Sequence, residues 1–263
     1  VEQLLLSHRN NTNPDEPLMQ LLKQVQRLLP GMRSYQGETH PDELLVTEDN
    51  FSVLQALVDH QAQSWPEAGR LYWFARSWSL LLWKPVVLAL VAVHFLHRPL
   101  NLRLLGQRAD ETGLADFSLP TKALRPVSDQ ALHQQAGILK EISEAWQQQL
   151  GAVIRINPAL ARGLLADRLL SSLLHLQASL NADNIWLVET ADTWLQELEL
   201  QQASGLMSVQ LDSGQQRLVL NRKTCCQHYR RRDGELCSSC PRLGREERLL
   251  RLKLENENYA AAQ

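Results

Sequence analysis

The sequence predicts an α+β fold, predominantly α-helical, with two small β-hairpins and a short C-terminal cysteine segment. Three observations carry this. Apolar residues recur at three- and four-residue spacing through most of residues 17–198, the spacing of one helix face. Two stretches, 101–120 and 207–220, alternate around turn residues, as hairpins do. All four cysteines fall between positions 225 and 240. The chain has 263 residues, 44% of them hydrophobic and 21% charged, with a formal net charge of −2. That composition suits a globular chain long enough to bury a core. It excludes extensive disorder, a collagenous chain and a strongly basic surface for nucleic acid.

The helices are read from the N-terminus onward. Pro17 suits a first helical turn, and Leu18, Leu21, Leu22, Val25, Leu28 and Leu29 share one face until Pro30-Gly31. Thr47 is the expected N-cap of a second helix carrying Phe51, Leu54, Leu57 and Val58. Pro66 opens a third through Leu71, Phe74, Trp78 and Leu82, and Pro85 is expected to restart the chain into an apolar segment. Alternation on either side of Ala109–Gly113 predicts the first hairpin. Ser128 caps a helix expected to reach Leu150, with Gly151 beyond its end. Asn157-Pro158 starts the next, which runs to about Leu180, and Asp183–Leu198 is one more. Met207–Leu211 and Arg217–Leu220 flank Asp212-Ser213-Gly214 as the second hairpin, and Gly244–Glu255 is a charged helix. The expected division is a mainly helical domain over 1–205, then a hairpin, cysteine segment and terminal helix over 206–263.

Leu80–Leu96 is the most apolar stretch, but Lys84, Pro85 and His94 interrupt it. A span needs about 20 predominantly apolar residues, so this reads as a buried core helix. Val1–Pro17 has no basic start and no long apolar run, and a reducing cytoplasm is the expected compartment. Peripheral contact with a membrane stays open.

Residues 217–253 carry eleven Lys or Arg against four Asp or Glu. This local +7 leaves −9 on the rest of the chain. Such a run is either a solvated face or a docking surface for an anionic ligand or an acidic protein. Arg222, Lys223, Arg230 and Arg231 are its candidate binding residues.

The cysteines are arranged as Cys225-Cys226, ten residues, Cys237, two residues and Cys240. Four thiols with one C-x-x-C pair point to a metal centre. A disulfide between neighbours is poor geometry, because adjacent Cα atoms lie ~3.8 Å apart, below the usual bridged range. A thioredoxin-like dithiol at Cys237 and Cys240 would leave the adjacent pair unexplained. A structural zinc usually draws on two spaced knuckles, whereas successive side chains tend to diverge. A two-iron cluster offers two corners, which a vicinal pair fits more easily. Zinc and iron–sulfur both remain open on spacing alone.

This pattern, entered through Lys223-Thr224 and followed by Gln227-His228-Tyr229-Arg230, resembles the FhuF family of siderophore-iron reductases. The Trp-rich helix with its proline and apolar run (Trp78–Leu90) and the Ile185-Trp186 pair are also similar. The resemblance implies a [2Fe–2S] cluster on Cys225, Cys226, Cys237 and Cys240. It implies one-electron reduction of siderophore-bound Fe(III), with hydroxamate siderophores the best-known substrates. It places such proteins in the cytoplasm or loosely on the inner membrane face. No Gly-x-Gly-x-x-Gly follows a strand, so the electron donor is expected to be separate, a ferredoxin or flavin reductase. The competing function is a non-enzymatic binding protein with a structural zinc held by the four cysteines.

Other residues give weaker signals. His228 is expected to be a partly exposed histidine beside the cluster rather than a ligand. Most of the seven tryptophans are expected in the core, and His94 and His97 are expected to be structural.

Overall fold

The computed structural model describes residues 15–40, 42–110 and 113–261. The N-terminal export-signal reading rests largely on residues 1–14, which lie outside these. Glu111 and Thr112, at the tip of the first hairpin, also lie outside them.

Helix α1 (Glu16–Leu28) carries Pro17 in its first turn and buries Leu18, Leu21, Leu22 and Val25, the face expected from the spacing. Helix α2 (Phe51–Ser64) starts later than Thr47. Asn50 is its N-cap residue, and Asp49 accepts the Phe51 N–H at 3.0 Å. The Asn50 amide instead ties the Leu45 and Glu48 carbonyls to Gln149.

Pro66–Ala68 forms one 3-10 turn, and Gly69–Leu96 is a single helix, α3. Pro85 therefore does not restart the chain. Proline lacks an N–H and leaves the carbonyl four residues back without its helical donor. Here that carbonyl belongs to Leu81, and Gln107 Nε2 donates to it at 3.2 Å from a neighbouring strand. A tertiary hydrogen bond thus replaces the one the proline removes. Among the described residues α3 is the helix long and apolar enough to cross a membrane, and 72% of its apolar window is buried within the protein.

The first hairpin, β3 (Gly106–Asp110) and β4 (Gly113–Leu119), belongs to a larger sheet than the sequence predicts. Two short strands join it, β1 (Ser34–Gln36) and β2 (Glu43–Leu44), in the order β1-β4-β3-β2. β1 runs parallel to β4, and the other pairs are antiparallel. Lys84 anchors this sheet to α3. Its ammonium is fully buried and donates to the carbonyls of Leu114 (2.6 Å) and Asp116 (3.0 Å).

Helix α4 (Ala131–Val153) begins after Ser128 and runs through Gly151, two residues beyond which it ends. Helix α5 (Pro158–Ser179) starts as expected, with Asn157 Oδ1 accepting the Leu160 N–H at 3.1 Å. Helix α6 (Asn184–Glu197) is capped by Asp183, which accepts the Trp186 N–H at 2.7 Å. Trp78, Trp146 and Trp194 are fully buried between these helices. Trp78 donates to the Ala161 carbonyl and Trp194 to His94 Nε2, both at 3.0 Å.

The second hairpin, β5 (Leu206–Gln210) and β6 (Gln216–Leu220), is a separate two-stranded sheet. Gly214 sits in its turn at φ +80°, a conformation that favours glycine. Side chains alternate between the faces of a strand. Leu206, Leu218 and Leu220 accordingly join the main core. Val209, Leu211 and Val219 pack on Leu252 of helix α7 (Arg245–Ala261). The outgoing strand β6 hands the chain directly to the cysteines.

Candidate metal centre

Between β6 and α7 the backbone holds one 3-10 turn, His228–Arg230, entered through Gln227 at φ +64°. Contacts on three sides fix this irregular segment. On the first, the Arg232 N–H donates to Glu67 at 2.8 Å, and the Arg231 guanidinium lies 4.3 Å from the Trp65 ring centre. On the second, Thr224 packs on Gly163 of α5 so closely that a Cβ there would overlap its side chain. On the third, Ser238 donates to Glu255 of α7 at 2.5 Å, and Arg251 donates to the Leu236 carbonyl at 3.0 Å.

These contacts bring the thiols together as two pairs. Cys225 and Cys240 have sulfurs 3.9 Å apart. Cys226 has Cys237 as its interacting thiol neighbour. Each pair takes one residue from the vicinal dipeptide and one from the C-x-x-C turn, where the Cys240 N–H donates to the Cys237 carbonyl at 2.9 Å. A tetrahedral metal with thiolate bonds of ~2.3 Å sets its sulfurs ~3.8 Å apart. The Cys225–Cys240 separation meets that requirement. Among the described residues no three His, Cys, Asp or Glu side chains converge as ligands of one ion. The measured separation fits two thiolates that share one metal corner.

The surroundings favour negative charge on one sulfur, that of Cys226, and disfavour it on Cys225 and Cys237. The Gln227 N–H donates to Cys225 at 3.4 Å, and Arg222 Nη1 lies 3.7 Å from the Cys237 sulfur. The Cys237 hydrogen bond pulls the Cys226 thiol down to about 5, helped by the His228 N–H and the Arg222 charge. The same bond pushes Cys237 up, and burial raises Cys225 to about 11. A low-pKa thiolate is the metal-binding and redox-active form of cysteine.

Arg222 is the predicted cation that reaches a cysteine. Behind it, Asp167 Oδ2 lies 2.9 Å from Arg222 Nε, a contact of charges without hydrogen-bond alignment. Ser204 donates to the other Asp167 oxygen at 2.6 Å. Burial raises the Asp167 carboxyl to about 6 against the opposing pull of Arg222 and Ser204. The other candidate cations face elsewhere. Lys223 donates to the Gln202 carbonyl at 3.3 Å, Arg230 to Gln227 at 3.0 Å, and Arg231 is paired with Asp233. His228 is exposed, with its ring 6.4 Å from that of Tyr72. Sequence reasoning missed Gly163, Asp167 and Ser204. Nothing in their spacing relates them to residues 222–240, because α5 meets the segment only through the fold.

A groove of about 850 Å³ opens beside this centre. Trp83 and Val87 of α3, Arg168 and His175 of α5, Arg217 of β6, and Arg222 and Ser239 line it. It follows α5 and β6 and reaches the C-x-x-C turn at Ser239, between two of the cysteines.

The fold and site thus define a helical body carrying a four-cysteine segment at its C-terminal side. Residues 222–242 match the family model of the FhuF 2Fe-2S C-terminal domain. The chain therefore carries a FhuF-type domain, which indicates a [2Fe–2S] cluster as its cofactor, and all four cysteines lie within the matched residues. No solved structure matches the chain.

Proposed function

We propose that the protein is a ferric-siderophore reductase of the cytoplasm. The observation that carries this reading is the meeting of the four thiols with a groove large enough for a metal chelate. Ligand sites of this kind commonly enclose ~300–1,000 Å³. The bound cluster supplies one electron, which converts chelated Fe(III) to Fe(II), and a separate ferredoxin or flavin reductase restores it. Fe(II) is larger and less charged, so hard oxygen ligands hold it less well and the iron leaves.

The chain's own residues have three tasks. Arg222 places a positive charge on Cys237, where reduction adds negative charge. Asp167 holds Arg222 in place. Ser239 and the groove walls bring a chelate to the edge of the cluster turn. This electron transfer needs neither a nucleophile nor a general base.

The test begins with protein purified without oxygen. Absorption between ~300 and 600 nm with two irons and two sulfides per chain is the expected signature of the cluster. The reduced protein should then be reoxidised by ferric siderophores with release of trappable Fe(II). A colourless protein carrying one zinc, or a reduced cluster inert to every ferric siderophore, overturns the proposal.

A further inference from the structure

The groove meets the four thiols through Arg222 and Ser239, beside Cys237. The Cys225–Cys240 pair borders a different surface. Gln227 donates its N–H to the Cys225 sulfur at 3.4 Å and its side-chain amide to the Cys225 carbonyl at 3.1 Å. Arg230 Nε donates to the Gln227 side-chain oxygen at 3.0 Å, which ties an exposed guanidinium to that cysteine through one residue. From the other end of the segment, Arg242 follows Cys240 by two residues and is also exposed. The half-buried Tyr229 ring joins the two, 5.9 Å from the Arg230 guanidinium and 4.7 Å from that of Arg242.

Both distances lie within cation–π range. A guanidinium held on a ring face keeps N–H edges open to carboxylates. Among the described residues neither Arg230 nor Arg242 forms an ion pair, and neither lines the groove. The carboxylates nearest in the chain and the fold have other partners. Asp233 pairs with Arg231, Glu247 with Arg251, Glu255 accepts from Ser238, and Glu67 accepts the Arg232 N–H. Glu235 and Glu246 are exposed, and among the described residues they bond to neither arginine. Tyr and Arg are the side chains that most often anchor a protein interface. A cluster with four thiolate ligands is itself anionic, so an acidic protein approaches it at least cost where cations stand between the two.

We propose that Tyr229, Arg230 and Arg242 form the docking surface for the electron donor, and that this donor is an acidic one-electron carrier protein of the ferredoxin type. One electron passes from the reduced carrier to the oxidised cluster. The carrier is oxidised, the cluster is reduced, and no bond is made or broken. Donor and chelate then meet the cysteine segment on separate faces. The assignment rests on the reductase reading above for the fate of the electron, and on this surface alone for the binding.

Binding is measured first, with both proteins oxidised so that no electron moves. The cluster-loaded protein is titrated calorimetrically with an acidic plant-type [2Fe–2S] ferredoxin. Binding should weaken about tenfold or more between roughly 20 and 200 mM salt. Arg230→Gln/Arg242→Gln should weaken it about tenfold at low salt and slow cluster reduction by the reduced ferredoxin by a similar factor. Both side chains are exposed, so the visible absorption of this variant should match that of the parent. The control is Arg98→Gln/Arg125→Gln, which removes the same charge beyond the end of α3 opposite the one where Tyr72 meets His228. That end lies ~40 Å away by helical rise, so binding should change less than about twofold.

No binding at low salt, binding indifferent to salt, parent-like binding by Arg230→Gln/Arg242→Gln, or equal loss in both double variants overturns the proposal. Vesicles of phosphatidylcholine and phosphatidylglycerol are the rival probe. Capture on them through the same two arginines, without ferredoxin binding, assigns the surface to lipid headgroups and also overturns it. The salt titration uses unaltered protein, so the test survives a variant that fails to fold. Failure of the reductase reading looks different. Ferredoxin that binds and reduces the cluster, with no ferric siderophore able to reoxidise it, removes the reductase and leaves the docking surface. Reoxidation of dithionite-reduced protein by ferric siderophores without ferredoxin binding does the reverse.

Discussion

Between α3 and α5 the chain meets itself through Trp78, Leu81, Leu88, Leu165 and Leu169, all buried in one apolar cluster. Between Cys225 and Leu243 only Cys240 and Leu243 are buried, and a single 3-10 turn supplies regular structure. The helical body is held by area removed from water, which is spread over many residues and needs no partner. The cysteine segment is held by a few point contacts and by whatever the thiols bind. Metal-site energy of that kind is folding energy for the residues around it. Damage should therefore stay in the region where it is made.

The largest effect is expected from the segment. Cys240→Ser removes the most buried of the four thiols. The variant should lose the visible absorption and almost all bound iron, while its far-UV circular dichroism stays close to that of the parent. Collapse of the helical signal as well would mean that the body depends on the cluster. The complementary change is Trp146→Ala in α4. It empties a fully buried site and should cost about 3–5 kcal/mol in chemical denaturation, while the folded variant keeps its visible absorption.

His94 sharpens the contrast through pH. It lies half-buried in α3 against Trp186 and Trp194, and desolvation lowers its pKa to about 4, helped by the charge of His97. An indole is only a donor, so the bond from Trp194 makes His94 Nε2 the acceptor and requires the neutral ring. The folded pKa lies below the unfolded value of 6.5. The stabilisation is present in full above that value and is lost as pH falls toward 4. The loss should approach about 3 kcal/mol. Denaturation midpoints between these pH values should fall in the parent and flatten in His94→Gln. An equal slope in both would assign the acid sensitivity to other groups.

The same contrast explains what sequence reading could reach. Helix starts with a local chemical signal, Asn157-Pro158 and Asp183, lie where the residues place them. The hairpins follow from alternation, and the metal centre from cysteine spacing. Thr47 and Pro85 mislead because distant residues decide their surroundings. Gln107 donates to the carbonyl that Pro85 leaves free, and this lets α3 continue. β1 and β2 have three and two residues and no pattern to detect, and they exist because β3 and β4 offer edges. Asp167, Arg168 and Gly163 read as ordinary helix residues until α5 is seen against residues 222–224.

Gly163 lies on the boundary between the two regions. Alanine favours a helix interior by up to ~1 kcal/mol over glycine. Here its Cβ would displace Thr224. Gly163→Ala should leave the denaturation midpoint of the body nearly unchanged and shorten the lifetime of the cluster in air, read from the decay of visible absorption. Unchanged decay would mean that the segment moves aside at no cost to the site.

The smallest effect isolates Arg222, which belongs to both regions through Asp167 on one side and Cys237 on the other. On the proposed ligand set reduction adds one electron to a cluster whose ligand Arg222 touches, so its charge should stabilise the reduced form more than the oxidised form. Arg222→Gln should lower the midpoint potential. A differential of ~1.4 kcal/mol corresponds to roughly 60 mV for one electron. The change also strands Asp167, a buried carboxylate. The double variant Asp167→Asn/Arg222→Gln removes that complication and should keep the lowered potential while recovering stability. If the double variant returns to the parent potential, the effect belongs to the stranded carboxylate, and the arginine serves only to position the loop.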